Sequence, residues 1–135
     1  GARLGFGIGN AALIADMNTI KYSTNPYNVN AMTMAAGLGA LEDEDYFRTN
    51  CETVCRNRAW TTAALQKLGF TVIDSKTNFV FAKTEKMGGF DLYQALKRRG
   101  ILVRHFAAPR TKGYIRITIG TPAENDELLA ALKQF

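Results

Sequence analysis

The stretch that most constrains the fold is residues 114–121, which reads YIRITIGT. Most of its residues are β-branched or aromatic, and Gly113 and Gly120 bound the run, so it predicts a short β-strand. Arg116 lies in the middle of this strand. Because a guanidinium is costly to bury unless an anion meets it, the strand raises the question of which anion Arg116 binds.

The elements around this strand predict an α/β domain. Residues 70–84 predict one or two strands with a break near residues 74–76, and residues 88–100 predict a helix whose apolar side chains, Phe90 among them, face inward. Residues 101–106 predict a further short strand, and Pro122 stands in the first turn of a last helix. Elements in this order form a small sheet with helices on one face.

The first half of the chain predicts mainly helix. Residues 1–10 read as a strand and turn taken from something larger, and residues 11–20 as a short helix. Residues 29–41 predict a helix that is apolar nearly all round and belongs to a core. The longest helix follows, with acidic residues at its start and Gly69 as its stop. Its two thiols, Cys51 and Cys55, are expected to be reduced and in or near a core.

Composition narrows the class of protein. The 135 residues are 47% hydrophobic, which suits one globular domain with a core. The net charge of +5 comes from scattered basic residues, which suits an ordinary solvated surface or small anionic ligands rather than nucleic acid. The two cysteines have no histidines near them in the sequence, so no metal site is expected. No apolar run approaches the length of a membrane span, so we expect no membrane contact.

Three stretches together resemble a known family. GARLGFGIGN, PYNVN and YIRITIGT stand in this order in the pyridoxal-phosphate-dependent aminotransferases of the aspartate aminotransferase fold, and most closely in histidinol-phosphate aminotransferases. The resemblance covers essentially the whole chain and includes TNFVF and GILVRHF between those stretches. It implies the C-terminal small domain of that fold, an α/β (α+β) sheet covered by helices.

The resemblance also implies how the chain is divided. Residues 1–28 would be a remnant of the large cofactor-binding domain and the linker that follows it, and residues 29–135 the small domain. The lysine that attaches to pyridoxal 5′-phosphate in this family would precede Gly1. The chain alone is therefore expected to be inactive, with no catalytic residue of its own.

The resemblance assigns roles to five residues. Arg3 matches the arginine that grips the cofactor phosphate, and Arg116 matches the arginine that binds the substrate α-carboxylate. Arg104 is placed to contact a substrate phosphate, while Asn78 and Tyr27 fall near the substrate site. His105 is expected to be structural, because strand alternation turns it away from the arginine before it.

The implied activity is a transamination of histidine biosynthesis. Histidinol phosphate and 2-oxoglutarate would give imidazole acetol phosphate and glutamate, in a cytoplasmic homodimer. Three alternatives stay open: a threonine-phosphate decarboxylase, an aromatic or other aminotransferase, and a non-catalytic ligand-binding or interaction domain. Substrate screening separates the first two from the main hypothesis, and the reading frame upstream of Gly1 tests the third.

Overall fold

The computed structural model describes residues 2–135, and they divide into two compact units. The first unit is Gly1–Arg48 and the second is Thr49–Phe135. The longest helix, α3 (Glu44–Lys67), begins in the first unit and continues into the second. The predicted division at residue 28 concerns the domains of a larger protein, and it stays a prediction.

The first unit contains two capped helices and little else that is regular. Helices α1 (Ala11–Thr24) and α2 (Ala31–Glu42) begin at asparagines whose side chains accept backbone hydrogen bonds. Asn10 accepts from the N–H of Ala12 at 2.9 Å, and Asn30 accepts from the N–H of Thr33 at 2.9 Å. An N-cap of this kind satisfies one of the backbone donors that a helix start leaves unpaired.

Two predictions for this unit are wrong. Residues 2–10 form no strand, because the unit offers no neighbouring strand with which they could pair. Helix α2 is not a core helix here, since none of its residues is buried. Apolar side chains in residues 2–10 are exposed: Phe6 is 76% exposed and Ile8 is 92% exposed.

The second unit is built on a four-stranded antiparallel sheet. Its strand order is β1-β2-β4-β3, so the two strands nearest in sequence to β4 flank it. Helices α4 and α5 complete the unit with the rest of α3. The bounds are β1 Thr71–Val72, β2 Phe79–Lys83, α4 Gly89–Lys97, β3 Arg104–His105, β4 Ile115–Thr118 and α5 Pro122–Leu132.

One face of this sheet carries the core. Side chains alternate along a strand, and the buried positions are Val80 and Ala82 on β2 with Ile115 and Ile117 on β4. Leucines from all three helices of the unit complete the same cluster: Leu65, Leu92, Leu96, Leu128, Leu129 and Leu132. The predicted architecture, a small sheet with helices on one face, is confirmed.

Three side chains depart from the sequence-based expectation. Phe90 was expected inside the unit but is 55% exposed, because it contacts the ring of His105 at the surface rather than the leucine cluster. Cys51 and Cys55 are free thiols, as expected, but both are exposed. Among residues 2–135, no helix has the length and apolar character needed to cross a membrane.

Candidate functional site

The face of the sheet opposite the helices is polar and aromatic, and we call it the open face. Its side chains come from alternate positions along β2 and β4, from the residue just before β4, from Arg104 of β3 and from the residue two places after Arg104. They are Phe79, Phe81, Arg104, Phe106, Tyr114 and Arg116. The open face therefore holds both arginines to which the family resemblance gives a role in substrate binding.

Arg104 and Arg116 are direct partners across β3 and β4. Residues opposite each other in an antiparallel pair point to the same side of the sheet, where like charges repel. Neither guanidinium forms an ion pair or a side-chain hydrogen bond within residues 2–135. The Nε atom of Arg116 is buried and has no hydrogen-bond partner. Such an arrangement is stabilised by an anion placed between the two side chains.

Two phenylalanine rings hold the arginines. The guanidinium carbon of Arg116 lies 5.2 Å from the ring centroid of Phe79 and 5.7 Å from that of Phe106. The guanidinium carbon of Arg104 lies 5.5 Å from the same Phe106 ring. These distances are within the range of cation–π attraction. The two cations thus share one aromatic support.

The turn before β2 fixes the strand that carries Phe79. Arg58 of α3 donates from Nη1 to the carbonyl oxygen of Thr77 at 2.7 Å. Ser75 donates from Oγ to the carbonyl oxygen of Phe79 at 2.5 Å. The Arg58 contact ties α3 to the turn that leads into the open face.

The end of β4 is fixed just as firmly. The carbonyl oxygen of Gly120 accepts from Asn57 at 3.1 Å and from the buried Asn125 at 3.1 Å. A β-carbon at Gly120 would lie 2.8 Å from a carboxylate oxygen of Glu124, so the position suits glycine. Helix α5 begins immediately afterwards, with Thr121 and Glu124 forming a capping box. Arg116 is therefore carried by a strand that is anchored beyond its end.

Asn78 lies at the same end of the sheet. Its carbonyl oxygen accepts from the backbone N–H of Ile119 at 2.9 Å, so its backbone extends the β2–β4 pairing. Its side chain is exposed and makes no hydrogen bond within the described residues. A role in substrate binding stays a prediction for this amide.

His105 lies on the other side of the sheet from the arginines. Its Nε2 is 2.9 Å from the carbonyl oxygen of Lys112, which accepts the hydrogen bond, and its ring packs between Phe90 and Tyr93. These contacts hold the loop after β3 against α4, and they support the structural interpretation of this histidine.

Arg3 and Tyr27 belong to the first unit. Arg3 is exposed and adopts a φ of 63°, which is uncommon for a residue with a side chain. Tyr27 lies in the turn after α1 and is 93% exposed. Their predicted contacts with cofactor and substrate stay predictions. The part of the chain that the structure describes contains no cluster of three potential metal ligands.

Sequence reasoning missed the aromatic half of the site. No role was assigned from the sequence to Phe79 or Phe106, although alternation places them on the face of the arginines. The signal was present in the period-two pattern: Phe79 and Phe81 alternate with buried Val80 and Ala82, and Phe106 stands two residues after Arg104. Comparing which residues of TNFVF, RHF and YIRIT lie on the same face of their strands would have grouped these residues.

Comparison with known proteins supplies the family. The family model described as aminotransferase class I and II matches residues 1–132. The chain belongs to the class I and II aminotransferases. A relative named histidinol-phosphate aminotransferase, from Brachyspira hyodysenteriae, is 44% identical over 133 residues. The match covers 98% of this chain and 38% of that relative, whose C-terminal part it represents.

Solved aminotransferases share the fold. The histidinol-phosphate aminotransferase of Clostridium acetobutylicum superposes with a TM-score of 0.76 at 27% identity, over 87% of this chain and 36% of that one. The histidinol-phosphate aminotransferase of Sinorhizobium meliloti, solved in complex with pyridoxal-5′-phosphate, gives a TM-score of 0.75 over 89% of this chain and 33% of that one. Its identity is 23%, so that likeness shows the fold alone.

Proposed function

We propose that this chain is the substrate-binding C-terminal part of a pyridoxal-phosphate-dependent histidinol-phosphate aminotransferase. The observation that carries the proposal is the arginine pair, in which two cations face each other without an acid and one buried Nε has no partner. Sequence identity to relatives of that name supports the choice of substrate. The proposed reaction converts histidinol phosphate and 2-oxoglutarate to imidazole acetol phosphate and glutamate.

The two substrates of such an enzyme differ in their anions. Glutamate and 2-oxoglutarate carry an α-carboxylate, which suits a bidentate contact with Arg116. Histidinol phosphate carries a phosphate monoester and no carboxylate, so its anion would be held by Arg104 and Arg116 together. Two guanidiniums match the greater charge of a phosphate, whereas one is sufficient for a carboxylate. The pair thus lets one site accept both substrates in turn.

The half-buried setting of Arg116 strengthens its contact with an anion, while Arg104 is exposed. Phe79 and Phe106 place apolar surface against Arg116, and electrostatic attraction grows as water is excluded. Arg116 is carried on a strand anchored at its end, so it loses little freedom when the anion arrives. We also propose Asn78, which lies beside the open face, and Tyr27 as substrate-binding residues of the whole protein.

The chain offers one residue for the cofactor. Arg3 is exposed and has no acid partner within the described residues, which fits a guanidinium that receives the phosphate of pyridoxal phosphate. When bound, that cofactor supplies the electron sink that amino-group transfer requires. We propose that the lysine that attaches to it lies outside this chain, and that the 135 residues alone do not catalyse the reaction. A cytoplasmic homodimer is the assembly that we propose for the whole protein.

Transamination by the full-length protein tests this function. The protein is saturated with pyridoxal phosphate and assayed with histidinol phosphate, O-phosphothreonine and phenylalanine as separate substrates. We expect the highest kcat/KM for histidinol phosphate with 2-oxoglutarate as acceptor. Decarboxylation of O-phosphothreonine, or a higher kcat/KM for phenylalanine, would instead assign one of the alternative activities. A protein that turns over none of them would contradict an enzymatic role.

A further inference from the structure

Phe106 occupies a position on the open face that no other ring shares. Its centroid lies 5.5 Å from the guanidinium carbon of Arg104 and 5.7 Å from that of Arg116. Phe79 contacts only Arg116 among the two, at 5.2 Å. Removing Phe106 therefore removes an aromatic contact from both cations, whereas removing Phe79 affects one.

The ring of Phe106 is itself held in place. It stacks on Phe81 with centroids 6.1 Å apart and planes 26° from parallel. Phe81 in turn meets Phe79 and Tyr114 edge-on, at 6.0 Å and 6.3 Å. Phe106 is thus one end of an aromatic row that runs from β2 to the residues flanking β3 and β4. Stacked and edge-on pairs of this kind are mutually favourable, so the row fixes the plane against which the arginines lie.

The contacts of Phe106 counteract a repulsion between the two arginines that the strand register creates. Arg104 and Arg116 are opposite partners with like charge, and without an anion they would separate. A shared ring attracts both cations to its face and keeps them close. Two guanidiniums held together present enough charge for a dianion, whereas a single one matches a monoanion.

We infer that Phe106 is a positioning residue that holds Arg104 and Arg116 together as one dianion site and thereby sets the preference for a phosphate over a carboxylate. The inference rests on the proposed function for its substrate, because Phe106 acts through the arginines and does not itself bind the phosphate. Phe79 supports Arg116 alone, so it contributes to the binding of both kinds of anion.

Calorimetric titration separates these roles. Full-length protein saturated with pyridoxal phosphate is titrated with inorganic phosphate, at a pH where it is mainly dianionic, and with acetate as a monoanion. We expect Phe106→Leu to weaken phosphate binding about tenfold and acetate binding much less, which lowers the preference for the dianion. Phe106→Tyr keeps the ring and should restore the preference. Phe79→Leu should weaken the binding of both anions by similar factors.

The chain provides a matched control. Arg99 lies over the ring of Phe135 at 4.4 Å, so Phe135→Leu removes the same kind of contact from the core side of this unit. It should leave both affinities unchanged. Both anions are titrated into the same protein preparation. Loss of folded protein therefore lowers the apparent stoichiometry of both titrations, but it does not change the ratio of the two dissociation constants. That ratio keeps the test valid for a partly unfolded variant.

The possible outcomes distinguish this inference from the proposed function. If Phe106→Leu leaves the phosphate-to-acetate ratio unchanged while Arg104→Ala lowers it, the inference is overturned and the anion site survives. If histidinol phosphate is not turned over but the ratio still depends on Phe106, the inference stands and the proposed function fails. A ratio that depends on neither arginine would contradict both.

Discussion

The two units of this chain use the same kinds of residue with opposite results. In the second unit, apolar side chains from three helices and two strands meet in one cluster, and Leu65, Leu96 and Ile115 are completely buried. In the first unit, the helices are properly capped, yet neither contains a buried residue. Good local signals are therefore enough to define a helix, but a core requires a second surface that is complementary in shape.

The comparison also separates stability from function. The core face of the second unit is apolar and fixes the sheet, while its open face carries two cations without acid partners. The first unit instead exposes leucine, methionine and phenylalanine side chains. An apolar surface of this extent is typical of a region that contacts another protein surface.

The largest expected effect comes from deleting a leucine in each unit. Leu96 is 0% exposed, so Leu96→Ala should lower the free energy of unfolding of the second unit by about 2–5 kcal/mol. Leu13 in α1 is 63% exposed, so Leu13→Ala should change the free energy of unfolding of the first unit by less than about 0.5 kcal/mol. Denaturant titration followed by circular dichroism measures both variants, because both units contain helices. Equal losses for the two variants would remove the distinction between the units.

A pair of glycines gives a smaller effect with opposite signs. A β-carbon at Gly89 would lie 2.7 Å from the carbonyl oxygen of Lys112, so Gly89→Ala should destabilise the second unit by about 1–3 kcal/mol. Gly39, inside α2, has open space around it, and Gly39→Ala should raise helix stability by up to about 1 kcal/mol. Thermal unfolding followed by circular dichroism measures both. A stabilising Gly89→Ala would show that α4 does not approach the loop this closely.

The smallest expected effect is a pH dependence confined to the second unit. Hydrogen bonds from the backbone N–H and hydroxyl of Thr121 hold the pKa of Glu124 below its usual value. A depressed carboxyl pKa contributes stability that is fully present above the usual value near 4.5 and is lost as the pH falls through the folded-state pKa. Glu124→Gln should therefore flatten the stability profile between about pH 6 and pH 3.

The matched control for this change is Glu127→Gln, on the same helix and exposed. It should leave the profile as it is in the unchanged protein. If both glutamines flatten the profile equally, the effect belongs to the net charge of the helix and not to the capping box.

Much of the second unit could be predicted from the sequence, because local residue signals mark its strands and helices. YIRITIGT gave a strand because its β-branched residues fit a pleated surface, and Pro122 marked the start of α5 because its fixed φ suits a first helical turn. The arginine pair followed from the family resemblance. Its register did not, because strand pairing depends on contacts between residues far apart in the chain.

The errors have one physical origin. Helix α2 was expected to be buried because it is apolar nearly all round, but composition does not say which surface covers a helix. Phe90 and the two cysteines were placed inward by helical spacing, while the structure leaves all three exposed. Residues 2–10 have alternating apolar positions that suit a strand, yet no neighbouring strand is present to complete it.

A double-mutant cycle on the arginine pair tests the central claim most directly. The kcat/KM for histidinol phosphate is measured for the full-length protein, Arg104→Ala, Arg116→Ala and the double variant, with exposed Arg98→Ala as the control. If both guanidiniums bind one phosphate, the single losses will not add, and the coupling will be about 0.5–3 kcal/mol. Losses that add within about 0.3 kcal/mol, or single variants that match Arg98→Ala, would contradict a shared anion site on the open face.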